Sequence, residues 1–267
     1  MPFPPRIAAV IIALNEQENL PDLLAGLDWV DQVVVVDGGS GDATLEIARD
    51  AGATVALRAF DNYARQRNHA LDLADADWVL SIDADERPSK GLPREVRERI
   101  AEGGFDAFRV PIRSTIFGRR MRYGGTQDDL PIRLFRRGAA RWQGDVHETL
   151  SLQGRVGRMK SWLDHYTLPD LDSFREKMDR YTSLEARARV GRRSPPRFRD
   201  RWIAPPREIF RRLIWKMGIL DGPEGWAFGV LSGWSESVLA AKHRELWNAQ
   251  TNDQPNAEPD PRGRRAA

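Results

Sequence analysis

Asp83 and Asp85 stand two residues apart at the end of the apolar run Trp78 to Ile82, with Glu86 directly behind them. A short apolar run bounded by polar residues reads as a strand covered on both faces. Alternate residues of an extended chain point the same way, so Asp83 and Asp85 are expected to aim at one point. Two carboxylates aimed at one point repel each other unless a cation sits between them. Hard oxygen donors in that number suit Mg2+ or Mn2+, with phosphate oxygens completing the shell. The simpler alternative is a polar turn in which Pro88-Ser89 starts the next helix.

The elements that would carry this pair alternate in type. Ile7 to Leu14 reads as a strand, followed by Asn15-Glu16-Gln17-Glu18-Asn19 and a helix with Leu20, Leu23, Leu24 and Leu27 at helical spacing. Val33 to Val36 is a second buried strand ending at Asp37, and a helix runs from there through Ala51. Thr54 to Leu57 is a third strand, Asn62 to Ala74 a third helix and Trp78 to Ile82 the fourth strand. Strand and helix alternating with short loops predict an α/β fold with a mostly parallel sheet. Ligands of such sheets bind at the carboxyl ends of strands. Asn15-Glu16, Asp37 and Asp83-Asp85 all fall there, each placed by its own strand–helix unit.

Further on, Ser89 to Glu102 predicts a helix, and Phe105 to Arg113 and Pro131 to Arg136 predict strands. Phe117 to Asp129 reads as a polar, mobile loop, and Val156 to His165 as a last strand. Asp170 to Val190 is a long helix, Arg192 to Pro206 a proline-rich joint, and Arg207 to Leu220 and Gly225 to Leu246 are helical. The division expected is a catalytic domain over 1–190, a basic, Trp-rich helical appendage over 191–249 and a disordered tail over 250–267.

The 267 residues are 41% hydrophobic and 30% charged, enough for a core and too apolar for global disorder. The absence of Cys excludes disulfides, thiolate metal sites and Cys nucleophiles. The N-terminus lacks a signal-peptide pattern, and no apolar run is long enough to predict a membrane-spanning helix. Arg187 to Lys216 holds eleven Arg or Lys against two acids, a net of +9, while the whole chain is only +2. Such asymmetry points to an anionic surface, a membrane or a nucleic acid.

The segments IALNEQENL, VVVVDGGSGDAT, RQRNHAL, DWVLSIDADE and RLFRRG with GDVHE, in this order over residues 6–190, resemble the family 2 glycosyltransferases of GT-A fold. Within them, the bacterial lipopolysaccharide-core β-1,4-glucosyltransferase-like group is the most similar. The chain departs in two places: Gly41 stands where family members often have Thr, and His147-Glu148 stands where an acidic pair is usual. The resemblance implies an inverting, metal-dependent enzyme moving a sugar from a nucleotide-diphosphate sugar to a cell-envelope glycan or lipid-linked acceptor. It implies a cytoplasmic protein, peripheral at the inner face of a bacterial inner membrane.

It also assigns roles. A divalent ion held by Asp83 and Asp85 would act as a Lewis acid on the departing diphosphate. His165 matches the late His that joins the metal, or else merely closes a strand. Asp37 matches the nucleoside-holding position, with capping of the helix after Asp42 as the alternative. Asn15 and Glu16 match the first nucleotide loop, or cap the first helix. Arg65 and Arg67 can pair with phosphate, with an exposed helical face as the alternative, above all for Arg65. Glu148 is the first choice for the base that activates the acceptor, with Asp145 and Asp128 next and His147 in a local structural role.

Two other classes compete. A dinucleotide-binding oxidoreductase fails because LNEQEN, not a Gly-rich turn, follows the first strand. A non-catalytic nucleotide or nucleic-acid binder using the Arg-rich segment would leave the acids unexplained.

Overall fold

The structure is a computed structural model that describes residues 4–144 and 148–252, apart from the side chains of Asp128 and Asn252. Four strands come first: β1 (Ile7–Ala13), β2 (Gln32–Asp37), β3 (Thr54–Leu57) and β4 (Trp78–Ser81). They run parallel, joined by α1 (Leu20–Ala25), α2 (Thr44–Asp50) and α3 (Tyr63–Leu73). β5 (Glu86–Pro88) and α4 (Leu92–Glu102) follow, then β6 (Ala107–Arg109), β7 (Ile112–Ile116) and β8 (Arg119–Arg120). β9 (Ile132–Arg136) precedes a hairpin of β10 (Ala140–Gln143) and β11 (Thr149–Leu152), and β12 (Val156–Arg158) and β13 (Leu163–Leu168) complete the strands.

Among the described residues, the main sheet has the order β12-β6-β9-β4-β1-β2-β3. Only β9 is antiparallel to its neighbours, so the expected α/β class with a mostly parallel sheet is what forms. Alternate residues of β1 feed two cores. Ile7, Ala9 and Ile11 pack with α1 and α4, while Ala8 and Val10 pack with α3. In α4 the buried Leu92, Val96 and Ile100 recur every four residues, which lays one stripe on the sheet. Each such buried side chain stabilises by about 1.5–3 kcal/mol. The in-register pairs Ala13↔Asp37 and Val10↔Ser81 bring the acidic loops after β1, β2 and β4 to one end of the sheet.

Several expectations are corrected. The fourth strand stops at Ser81, and Asp83-Ala84-Asp85 is a turn closed by the Glu86 amide donating to the Asp83 carbonyl at 3.0 Å. The strand expected over Phe105 to Arg113 is two, β6 and β7, lying in different sheets. Pro111 stands between them, and without an N–H it cannot continue a ladder. The last strand likewise divides into β12 in the main sheet and β13 in a smaller sheet of order β5-β13-β7-β8.

The loop expected to be mobile, 117–129, contains β8 and a tight turn at Thr126–Asp128 and is tied to the C-terminal helices. The buried Asp221 carboxylate accepts the backbone amides of Arg122 at 3.0 Å and Tyr123 at 2.8 Å. These helices are α5 (Leu171–Gly191), α6 (Phe198–Trp202), α7 (Ala204–Phe210) and α8 (Gly222–Asn252). The proline-rich joint therefore contains α6. The helix expected over 207–220 breaks into α7, a π-helical turn at Arg211–Trp215 and a 3-10 turn at Gly218–Asp221. Residues 250–252 continue α8, and the rest of the tail lies outside the described residues.

Glycines let α8 receive these turns. A Cβ on Gly225 would stand 2.1 Å from the Gly218 carbonyl oxygen, and one on Gly233 2.9 Å from the Pro205 carbonyl oxygen. Gly225→Ala gains helix propensity of under about 1 kcal/mol, but the overlap with backbone forces the 218–221 turn away. A net loss of about 1–3 kcal/mol is expected. Thermal denaturation would read it, and an unchanged midpoint would show that the turn shifts freely.

Candidate active site

Three elements converge on Asp83. From α3, Arg67 Nη2 donates to Asp83 Oδ1 at 2.7 Å. From β9, Arg133 Nη2 donates to Asp83 Oδ2 at 2.8 Å and also to Glu86 Oε1. The Asp83 backbone amide donates to Glu86 Oε2 at 3.0 Å. Burial alone would push Asp83 up, but the charges of Arg133 and Arg67 outweigh it and hold the carboxyl well below the usual range. Glu86 is fully buried, and that burial, against the pull of Arg133 and with the Asp83 charge, pushes its carboxyl up to about 7. Arg67 continues past Asp83: its Nε lies 3.6 Å from Glu148 Oε1, and its guanidinium sits 5.0 Å from the Trp142 ring centroid. Asn68, next on α3, seats the hairpin by donating to the Trp142 carbonyl at 2.9 Å. Glu148 lies in the connection between the hairpin's two strands, directly before Thr149, which pairs with Gln143.

Asp85 belongs to a separate pair. Register in the smaller sheet sets His165 opposite Glu86, and His165 Nε2 meets Asp85 Oδ2 at 3.1 Å. Burial works against the imidazolium, but the Asp85 bond and the charges of Asp85 and Glu86 raise His165 above its ordinary value. Arg87 fixes this turn by donating to the carbonyls of Ala84 at 2.8 Å and Asn19 at 2.6 Å. The expectation that Asp83 and Asp85 aim at one point came from an extended backbone. In the turn, Asp83 faces guanidiniums and Asp85 faces imidazole.

An imidazole nitrogen and a carboxylate oxygen this close suit an ion that takes few protein ligands and completes its shell with water and phosphate oxygens, and Mn2+ accepts the imidazole more readily than the harder Mg2+ does. They do not suit an ion caged by protein alone, since no group of three or more His, Cys, Asp or Glu gathers round such a point among the described residues.

The first two loops hold each other. Asn15 adopts the left-handed conformation at φ +56, which Asn tolerates. Its Oδ1 accepts the Gly41 amide at 2.9 Å, and its own amide donates to Ser40 Oγ at 2.8 Å. The Glu16 amide donates to Thr44 Oγ1 at 2.8 Å. Burial raises the Glu16 carboxyl against the pull of the Asn19 amide, and Asp85 adds to the rise. Neither Asn15 nor Glu16 caps α1, whose N-cap is Asn19. Asp37 is fully buried and accepts the amides of Gly39 and Ser40, each at 2.8 Å, so it braces its own turn; Asp42, not Asp37, accepts the Thr44 amide at the start of α2.

Arg65 is the exposed helical residue of the alternative, paired with Asp61 at 3.2 Å. Arg67, expected to reach phosphate, is engaged with Asp83 and faces Glu148. Asp145 and His147 lie outside the described residues, as does the Asp128 side chain.

Two contributions escaped the sequence. Arg133 reaches the site because β9 runs antiparallel, so its first residues lie at its neighbours' carboxyl ends; Leu134 pairs with Leu80. A buried Arg inside an apolar strand was the available signal. Helix α5 is the other. Its Lys177 acts on the charges of Glu16 and His165, and its Tyr181 lies near Tyr63 and Asp83.

A family model described as Glycosyl transferase family 2 matches residues 8–160. The lipopolysaccharide core biosynthesis glycosyltransferase LpsC of Rhizobium meliloti (strain 1021) is 31% identical over 257 residues, 91% of each chain. The uncharacterized glycosyltransferase RT0209 of Rickettsia typhi is 25% identical over 263 residues, 90% of this chain and 87% of that one. The crystal structure of S. aureus TarS 1-349 aligns with 94% of this chain and 93% of its own, at 15% identity and a TM-score of 0.48. The protein is thus a transferase acting on sugars. The chain belongs to glycosyltransferase family 2, as its motifs anticipate.

Proposed function

We propose that the enzyme is an inverting, metal-dependent glycosyltransferase that moves a sugar from a nucleotide-diphosphate sugar to a cell-envelope acceptor. The observation that carries this reading is the Asp85–His165 pair, 3.1 Å apart, beside the guanidinium-held Asp83. Asp85 and His165 would hold Mg2+ or Mn2+, with Asp83 held beside them by Arg67 and Arg133. Bound there, the ion would supply Lewis-acid neutralisation of the departing diphosphate.

The remaining chemistry falls to the chain. Asn15, Glu16 and Asp37 present the nucleoside loop, with Asp37 bracing the turn that follows it. Arg67 orients Glu148. Glu148 takes the proton of the acceptor hydroxyl as its oxygen bonds to the sugar C1 and the C1–phosphate bond breaks. Attack opposite the leaving group inverts C1. A thermal-shift screen of nucleotide sugars with and without Mn2+ tests the reading. Stabilisation by one sugar nucleotide that requires the ion is expected, and no response to any donor would overturn it.

The acceptor we propose is lipopolysaccharide core or a lipid-linked glycan. The similarity to LpsC, described as acting in lipopolysaccharide core biosynthesis, supports it. The work would be done at the inner face of the inner membrane. No helix among the described residues is long and apolar enough to cross a membrane. The C-terminal helices instead carry an apolar outer surface. α7 seats Ile209 and the following Leu213 on α8, while Ile203, Phe210 and Ile214 face outward. Phe198 is 72% and Trp215 75% exposed, and Trp202, Trp226 and Trp234 are exposed too, so these indoles are not the core of a helical cap. Arg199, Arg201, Arg207 and Arg211 interleave with them. Aromatics amid Arg suit a headgroup boundary, with on the order of 1 kcal/mol per basic residue near an anionic leaflet. Strong co-sedimentation with anionic liposomes at low salt, falling as salt rises, is expected. Indifference to such vesicles at low salt would remove the membrane from the proposal.

A further inference from the structure

Lys177, Arg180 and Tyr181 stand three and four residues apart on α5 and so share one face. That face meets three parts of the proposed donor site. Lys177 Nζ donates to Thr167 Oγ1 at 2.6 Å, two residues beyond His165 on β13, and its charge acts on His165. Lys177 and Arg180 both act on the charge of Glu16, in the loop after β1. Tyr181 is hydrogen-bonded to Tyr63 at the start of α3 and lies within the influence of Asp83, in the turn after β4. Another side of the helix fixes its place. Phe174, Thr182 and Ala186 are buried, and Lys242 of α8 reaches Asp179 Oδ1 at 2.6 Å and Thr182 Oγ1 at 3.0 Å.

The other cations of the site are taken. Arg67 is bonded to Asp83, and Arg133 to Asp83 and Glu86. Lys177 and Arg180 differ. Among the described residues neither forms an ion pair: Lys177 holds a hydroxyl, and the exposed Arg180 lies 5.6 Å from the Tyr181 ring centroid. Glu16 is the acid on which both act, and one carboxylate does not balance two cations.

We infer that Lys177 and Arg180 hold the diphosphate of the donor and take up the charge that gathers on it as it leaves. The inference rests on the proposed glycosyltransferase reading and names the groups of this chain that bind its leaving group. A divalent ion between Asp85 and His165 would neutralise only part of that charge. When the bond from C1 to the diphosphate breaks, its electron pair stays on the phosphate oxygen, and donors already placed beside that oxygen favour departure. The Lys177 ammonium, anchored next to His165, is a point donor to such an oxygen. The Arg180 guanidinium, one turn further along, can meet two phosphate oxygens at once. A nucleoside monophosphate lacks the second phosphate and forgoes these bonds. Because Lys242 pins α5 to α8, the C-terminal helices hold this half of the donor site in place.

Isothermal calorimetry on the full chain with Mn2+ tests this. UDP, ADP, GDP and dTDP are titrated, and the tightest is compared with its own monophosphate. The parent should bind the diphosphate at least about tenfold more tightly. Lys177→Gln and Arg180→Gln should each weaken the diphosphate by about tenfold, the scale of one charge-assisted hydrogen bond, and leave the monophosphate within about twofold. A purely structural role would weaken both nucleotides alike. Lys177→Arg and Arg180→Lys should each retain part of the preference. Lys177→Gln gives up the bond to Thr167, so thermal denaturation checks its fold. Arg180→Gln loses no tertiary bond among the described residues and tests the inference by itself. Parent-like diphosphate affinity in both glutamine variants, or equal losses for the two nucleotides, would overturn the inference and leave the donor reading standing. A parent that binds none of the four diphosphates would overturn that reading, and the inference with it.

Discussion

Asp85→Asn is expected to lower glycosyl transfer on the order of a thousandfold while the protein stays folded. The amide is the same size but a poor cation ligand, and the Lewis-acid contribution it would forfeit is several kcal/mol. Among the described residues the Asp85 side chain bonds to His165 alone, so the fold loses little. The turn itself is held by Arg87 and by the Asp83–Arg67–Arg133 cluster, none of which depends on the Asp85 carboxylate. Mn2+-dependent donor binding should fall with activity, and the thermal midpoint without ligand should stay near that of the parent. Chelator-treated Asp85→Asn working at the parent's full rate would remove the ion from this site.

Glu148→Gln should cut the chemical step by about a hundredfold or more, the usual scale when a general base is lost. Gln keeps the length and can still place an oxygen toward Arg67 Nε, which stands 3.6 Å from Oε1. Donor binding should therefore persist while single-turnover transfer slows. The comparison variant is Asp145→Asn. If it shows the slow chemical step with intact donor binding and Glu148→Gln does not, the base is Asp145.

Legibility differed between these two groups of residues. Asp83, Arg67 and Glu148 are each legible in the sequence, and the structure brings both carboxylates to the Arg67 guanidinium. The partners were harder to see. Asp83 is expected to share a ligand with Asp85, yet its oxygens go to Arg67 and to Arg133, for which an Arg inside an apolar strand is the one local signal. The C-terminal indoles show the same limit from the other side. A run of Trp and Arg was visible, but only the seating of Ile209 and Leu213 on the glycines of α8 decides that the indoles face outward.

By itself the sequence determined the alternating strands and helices of residues 7–81 and the end of the sheet at which the acids lie. Apolar periodicity selects strand or helix, and parallel strand–helix units force successive strand ends to one side of the sheet. Tertiary structure decided which distant residues meet there. The antiparallel course of β9 delivers Arg133 to Asp83, 50 residues away, and the pairing of β5 with β13 delivers His165 to Asp85 across 80. Strand order and direction are set by the summed packing of both sheet faces. No window of neighbouring residues contains that sum, so the meeting of these side chains could not be read along the chain.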